Sequence, residues 1–115
     1  MPVKTCYWKG TGANHVGDWS WDDSGSSYTT SNWTDSAGTG IAAPAAGDTV
    51  IFRSGSQSVT AGLDQHTLTI AAMKIYGGYE GSIGSSGESL RVNVTGETSL
   101  FGGDKLYIRG TLGPV

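Results

Sequence analysis

The chain has 115 residues and a formal charge of −3, and this length suits one domain with a single core. Its seven basic residues form no run, which argues against a nucleic-acid surface, and no apolar run approaches the roughly 18 residues of a membrane-spanning helix. Nineteen glycines and abundant Ser and Thr favour tight turns and short strands, so we expect an all-β protein with little helix.

The first part of the chain combines a loop-like composition with all four tryptophans. Because the composition changes before Asp48, we predict a Trp-rich loop or cap over residues 1–47 and a β-strand body over residues 48–115, within one domain. Trp8 and Trp33 are predicted to cover an exposed end of the core. Asp48 is predicted to stabilise the turn into the first strand through its carboxylate.

Two tryptophans, Trp19 and Trp21, stand two residues apart in "GDWSWDD". In an extended segment their rings would lie on the same side. Such a pair would serve the core, an interface with another protein, or a platform on which sugar rings stack. We take Trp19, Trp21 and the nearby Tyr28 as candidate interface or ligand-binding residues.

Acidic residues surround these rings, but they lack the spacing of the usual calcium-binding loop. The carboxylates are therefore expected to hydrogen-bond to turns rather than to hold a metal, and we predict neither a metal site nor a cofactor. They are Asp18, Asp22, Asp23 and Asp35.

Catalytic groupings are not evident in the sequence. His15 and His66 lie in separate segments without a motif around either. Asp22 and Asp23 are adjacent, so on a strand they would point in opposite directions and would not flank one glycosidic bond. We expect that the chain is not an enzyme.

From Asp48 onwards, β-branched and aromatic runs alternate with turn residues, which is typical of strands. In one of them Leu90, Val92 and Val94 alternate with polar residues, so one face is expected to be buried. The predicted strands are 48–52, 57–61, 67–77, 89–96, 98–102 and 105–110.

A weak repeat is visible in the strand-forming part. Ile75, Val92 and Ile108 are separated by 17 and 16 residues, which would suit one coil of a short parallel β-solenoid. An antiparallel β-sandwich satisfies the same alternation and is the alternative fold.

Several motifs resemble known proteins. "YWKGTG", "GDWSWDDSGSSYTTSNWTD" and "APAAGDTVIF" resemble the opening of β-solenoid segments in bacterial and phage surface proteins. The stretch "SVTAGLDQHTLTIAAMKIYGGYEGSIGSSGESLRVNV" is similar to small phage virion proteins, including head decoration or cementing proteins. The two stretches together cover most of the chain.

The resemblance implies a structural virion protein on the capsid surface that stabilises the shell through contacts with the major capsid protein. It also implies self-association, with a homotrimer favoured, and a capsid contact through residues 1–12 or the loop of Trp19 and Trp21. The alternative is a carbohydrate-binding module of a phage tail fibre or bacterial surface adhesin, located on the phage tail or bacterial surface and binding a glycan.

Overall fold

The computed structural model describes residues 3–112 and confirms an all-β chain. Within this range there are eight strands and a single 3-10 turn, Ser24–Ser26, and no helix there is long and apolar enough to cross a membrane. The strands are β1 (Thr5–Trp8), β2 (Trp33–Thr34), β3 (Thr49–Phe52), β4 (Asp64–Ile70), β5 (Ala72–Ile75), β6 (Leu90–Val94), β7 (Thr98–Leu100) and β8 (Ile108–Arg109).

The strands form two sheets that share one core. The first has the order β2-β1-β3-β5-β7 and the second the order β4-β6-β8. Five of the six strand pairings are parallel, and only β1 and β2 pair antiparallel. A further line of parallel bridges joins Val59 to Ile83 and Ile83 to Leu106. The sheets are therefore mixed, and neither closes on itself.

The core consists of side chains stacked in register from one strand to the next. In the first sheet Val50 pairs with Met73, and Phe52 pairs with Ile75, and all four side chains are buried. Each such aliphatic or aromatic side chain contributes about 1.5–3 kcal/mol through the apolar surface that it removes from water. These inward positions give the sheet its register, because a slip by one residue would turn every apolar side chain to solvent.

The predicted strand boundaries need two corrections. The first strand is β1, not the run at Asp48, because Thr5–Trp8 pairs in parallel with β3 and so lies inside the sheet. The predicted strand 67–77 is two strands that belong to different sheets. The chain bends at Ala71, whose N–H donates to the carbonyl of Asp48, and this distant partner sets the corner.

The predicted repeat is also wrong. Ile75 lies in the first sheet, whereas Val92 and Ile108 lie in the second, so these residues do not form one ladder. Parallel partners such as Val50 and Met73 are instead roughly 24 residues apart, a separation typical of repeat architectures. The shorter spacing arose because it compared apolar residues on different sides of the core.

Candidate functional site

Three of the four tryptophans form a buried cluster at the end of the stack where β1 lies. Trp33 packs edge-on against both Trp8 and Trp19, with ring centroids 5.0 and 4.7 Å apart, and each of the three rings is at most 1% exposed. The centroid of Phe52, on the neighbouring strand β3, lies 6.2 Å from that of Trp8. Trp8 and Trp33 thus lie where the sequence placed a cover over the core.

Each buried indole also satisfies its polar N–H. Trp8 donates to the carbonyl of Gln57 at 2.7 Å, and Trp33 donates to the carbonyl of Trp19 at 2.7 Å. These bonds fix the ring orientations and tie the N-terminal loops to the strand body, since a buried polar group without a partner would cost about 1–3 kcal/mol.

The sheet edge beside the indole cluster is occupied. β2 pairs with β1 on one side, and on the other side Thr34 forms an antiparallel bridge with Gly40. The N–H of Ile41 donates to the carbonyl of Trp33 at 2.9 Å. We call this the capped end of the first sheet, because the turn formed by residues 35–40 covers its last strand.

Trp19 and Trp21 do not form a common platform. Trp19 is in the core, whereas Trp21 is half-buried and stacks on His15 with centroids 3.6 Å apart. The segment is a series of turns rather than an extended strand, so the expected two-residue alternation does not apply. Trp19 is therefore not available as an exposed binding residue.

Tyr28 is half-buried and has a left-handed backbone conformation with φ of 64°. It borders a cleft of about 270 Å³ that also touches Ile41, Ala42 and Asp48. The structure thus brings together Tyr28 and Asp48, which the sequence assigned to separate roles, while Trp21 does not line this cleft.

Asp48 is a buried hub at the start of β3. Its carboxylate accepts hydrogen bonds from the Lys4 N–H at 2.9 Å, the Lys4 ammonium at 2.6 Å and the Ala45 N–H at 2.8 Å. Burial opposes ionisation of this group, but the bond from Ala45 and the bonds and charge of Lys4 outweigh it and lower the pKa of Asp48. The carboxylate therefore stabilises the turn into β3, and it also holds β1 beside that turn.

Cys6 lies next to this hub. Its Sγ is 3.7 Å from an Asp48 oxygen, and burial raises the pKa of the thiol to about 12. A neutral thiol in the core is unreactive and packs as a small apolar group, as expected for a lone cysteine.

The other acidic residues of the Trp-rich segment bind backbone groups. Asp22 accepts from the Ala43 N–H and Asp23 from the Thr30 N–H, each at 2.9 Å. Among residues 3–112 no group of three His, Cys, Asp or Glu side chains is placed to hold a metal ion.

A polar groove runs along the second sheet. Asp64 on β4 lies 2.7 Å from His66 Nδ1 and 3.4 Å from the guanidinium of Arg91 on β6. The hydrogen bond to His66 lowers the pKa of Asp64, with the nearby positive charges adding to it and slight desolvation opposing it. The groove has a volume of about 580 Å³ and is lined by residues including Ser20, Asp64, Gln65, Glu88, Arg91 and Arg109.

The opposite edge of the first sheet, formed by β7, exposes apolar side chains. Leu100 pairs in register with the fully buried Ile75 but is 39% exposed, and Phe101 is 79% exposed. An open groove of about 720 Å³ is lined by the single segment 95–101. We call this edge, with Leu100 and Phe101, the open end.

The sequence reasoning did not single out the open end. One signal was present, because Leu100 and Phe101 are adjacent in a predicted strand and must face opposite sides, so one of them had to face outward. That the inward one is exposed as well depends on the absence of a following strand above it in the described residues.

Comparison of the chain with models of known families, with curated proteins and with solved structures found no match. The functional argument therefore starts from the geometry of the chain itself.

Proposed function

We propose that the chain is a structural virion protein of the capsid decoration type, built as a short parallel β-solenoid, that stabilises a shell through protein contacts. Its partner on this proposal is the major capsid protein, and its location is the capsid surface. The single observation that carries the proposal is the contrast between the two edges of the first sheet, one capped and the other open.

Three lines of parallel contacts support the solenoid. β3, β5 and β7 stack in one line, β4, β6 and β8 in a second, and the bridges through Val59, Ile83 and Leu106 form a third. Each line is visited once in every roughly 24 residues, and this is how successive coils bury a common core. The antiparallel sandwich has less support, since the single antiparallel strand pair is that of β1 and β2.

The contrast between the edges supports an assembly role. An unpaired strand edge with exposed apolar side chains is a pairing surface, which soluble proteins usually cover or charge. Here the capped end carries a covering turn and a buried indole cluster, while Leu100 and Phe101 remain exposed. A protein that gains stability by lending such a surface to neighbours is suited to cementing other subunits.

The capsid contact is proposed for the Trp-rich side. Of the segment 1–12, residues 1 and 2 lie outside the described part, and Val3 is 68% exposed. In the adjacent loop Val16 is 62% exposed, and Trp21 is half-buried. Trp19 is dropped from this surface because it is buried.

The experiment compares particles of the source virus that carry or lack the chain. We expect the chain to co-sediment with purified shells and to raise the temperature at which they release their contents, by mass action. Trp21→Ala and Val16→Lys are expected to reduce retention, while Ser86→Ala on an exposed turn serves as the control. Absence of the chain from particles, or unchanged shell stability, would overturn the proposal.

One observation favours a second candidate, a carbohydrate-binding module of a tail fibre or adhesin. The polar groove on the second sheet offers carboxylate, amide and guanidinium groups that would bind sugar hydroxyls. Glycan-array binding that Gln65→Ala abolishes, with shell retention unaffected by the Trp21 change, would support this module in place of the decoration protein.

A further inference from the structure

We infer that the open end is a twofold interface at which β7 of one copy pairs antiparallel with β7 of a second copy, centred on Ser99. This inference concerns the chain's own oligomeric state and does not depend on a capsid. It differs from the trimer that the resemblance implies, because the geometry of a shared strand edge joins two copies.

The exposed core at this end is the first step. Phe52 and Ile75 pair in register and are both fully buried, while Leu100, which pairs with Ile75, is 39% exposed. The other lines behave alike, since Ile83 is fully buried and its bridge partner Leu106 only partly. The end therefore lacks one covering layer over several inward side chains at once.

The backbone of β7 supplies the second step. Glu97 accepts from the Met73 N–H, and Phe101 donates to the Ile75 carbonyl, so the polar groups of these residues face β5. Because successive backbone groups of a strand point to opposite sides, the N–H and C=O of Thr98 and Leu100 face the free edge. These are the groups that an added strand would bind.

Antiparallel pairing about Ser99 matches these groups to one another. Thr98 of each copy would then oppose Leu100 of the other, and each such pair exchanges two hydrogen bonds. Both residues are inward on their own strand, so the pairing also places apolar side chain over exposed core. Glu97 would oppose Phe101, which leaves no like charges facing each other across the axis.

The remaining edges point to a second copy and to its orientation. Head-to-tail growth of the first sheet is blocked, because the turn at Gly40 already occupies the capped end. In the second sheet, β4 has an irregular register with β6 and carries polar residues such as Gln65 and His66, features that discourage pairing. A twofold contact uses the one apolar edge of the first sheet twice and closes on itself.

Cysteine cross-linking tests the proposed register. Ser99 would lie on the axis as a non-hydrogen-bonded pair with Cα atoms about 4.5 Å apart, within the range that a disulfide spans. Ser99→Cys is expected to give a disulfide-linked dimer on mild oxidation, whereas Ser86→Cys, on an exposed turn, is expected to stay unlinked. Equal linking of the two variants, or none at Ser99, would overturn the register.

Solution mass tests the interface itself. One chain has a mass of 11.9 kDa, and light scattering from micromolar to millimolar concentration is expected to approach twice that value. Leu100→Lys is expected to weaken the dimer by about tenfold or more, whereas Val16→Lys makes a similar change at a distant exposed site. Circular dichroism and tryptophan fluorescence show whether each variant retains the fold.

A monomer at every concentration, a trimer, or a dimer unaffected by Leu100→Lys would overturn the inference. These outcomes are separable from failure of the proposed function, which is judged by retention on particles. A dimer that does not bind shells refutes only the decoration role, and a shell-bound monomer refutes only the interface.

Discussion

The ammonium group of Lys4 lies 2.6 Å from the carboxylate of Asp48, a residue 44 positions later in the chain whose side chain is 3% exposed. This pair joins the first strand of the sheet to the turn that starts β3. It places a charged group at the junction between the Trp-rich segment and the strand body.

The first prediction concerns this carboxylate. Asp48→Asn is expected to lower the free energy of unfolding by about 2–3 kcal/mol, because the amide loses the charge that strengthens three hydrogen bonds. Urea denaturation at neutral pH measures the change. Glu80→Gln, at an exposed position, is the control and is expected to have a negligible effect.

The same carboxylate predicts a dependence of stability on pH. The pKa of Asp48 is lower in the folded protein than its ordinary value of 3.8, so the folded state binds fewer protons than the unfolded one. Its stabilising contribution is complete above about pH 4 to 5 and is lost as the pH falls through the folded-state pKa. Asp48→Asn should flatten this acid limb, and an unchanged slope would contradict the assignment.

The second prediction separates two tryptophans that the sequence treats alike. Trp19→Ala is expected to cost about 3–5 kcal/mol because it leaves a cavity beside Trp33, whereas the half-buried Trp21 should cost about 1–2 kcal/mol when changed to Ala. Denaturant titration followed by circular dichroism measures both. Equal losses would mean that the two rings share one environment.

The third prediction concerns Asn32, which is fully buried. Its side chain accepts from the Gly12 N–H at 2.6 Å and donates to the carbonyls of His15 and Asp18 at 2.7 and 2.9 Å. Asn32→Ala is expected to cost about 3–4 kcal/mol, because three buried backbone groups would lose their partner. Asn93→Ala, at a less buried position, is the matched control.

Asn32→Asp sharpens this test. An ionised carboxylate accepts but does not donate, so it would face the carbonyls of His15 and Asp18 without satisfying them. The loss of unfolding free energy should therefore grow as the pH rises through the range in which the carboxyl ionises. A loss independent of pH would contradict the hydrogen-bond pattern.

The fourth prediction is a gain in stability. The hydroxyl of Thr98 is buried without a hydrogen-bond partner among the described residues. Thr98→Val keeps the shape and removes the unsatisfied group, so the free energy of unfolding should rise by about 1–2 kcal/mol. Thr95→Val, at an exposed position, should change stability little. A drop in melting temperature for Thr98→Val would indicate that the hydroxyl has a partner.

Local composition determined the fold class and several details of this protein. The Gly, Ser and Thr content excluded helices because it favours turns, and alternation in residues 89–96 located β6 and its buried face. Asp48 was identified as a turn-stabilising residue because Asp before a β-branched run commonly bonds to nearby backbone. These features depend on neighbours within a few positions, which a sequence displays directly.

Contacts between distant segments decided the rest. Ala71 marks a corner only because its N–H meets the carbonyl of Asp48, and Trp19 is buried while Trp21 is not because Trp33 and His15 approach them from other parts of the chain. The open end likewise depends on which strand happens to lie last in the stack. Partners tens of residues away set these environments, and no pattern of nearby residues encodes which partner a side chain will meet.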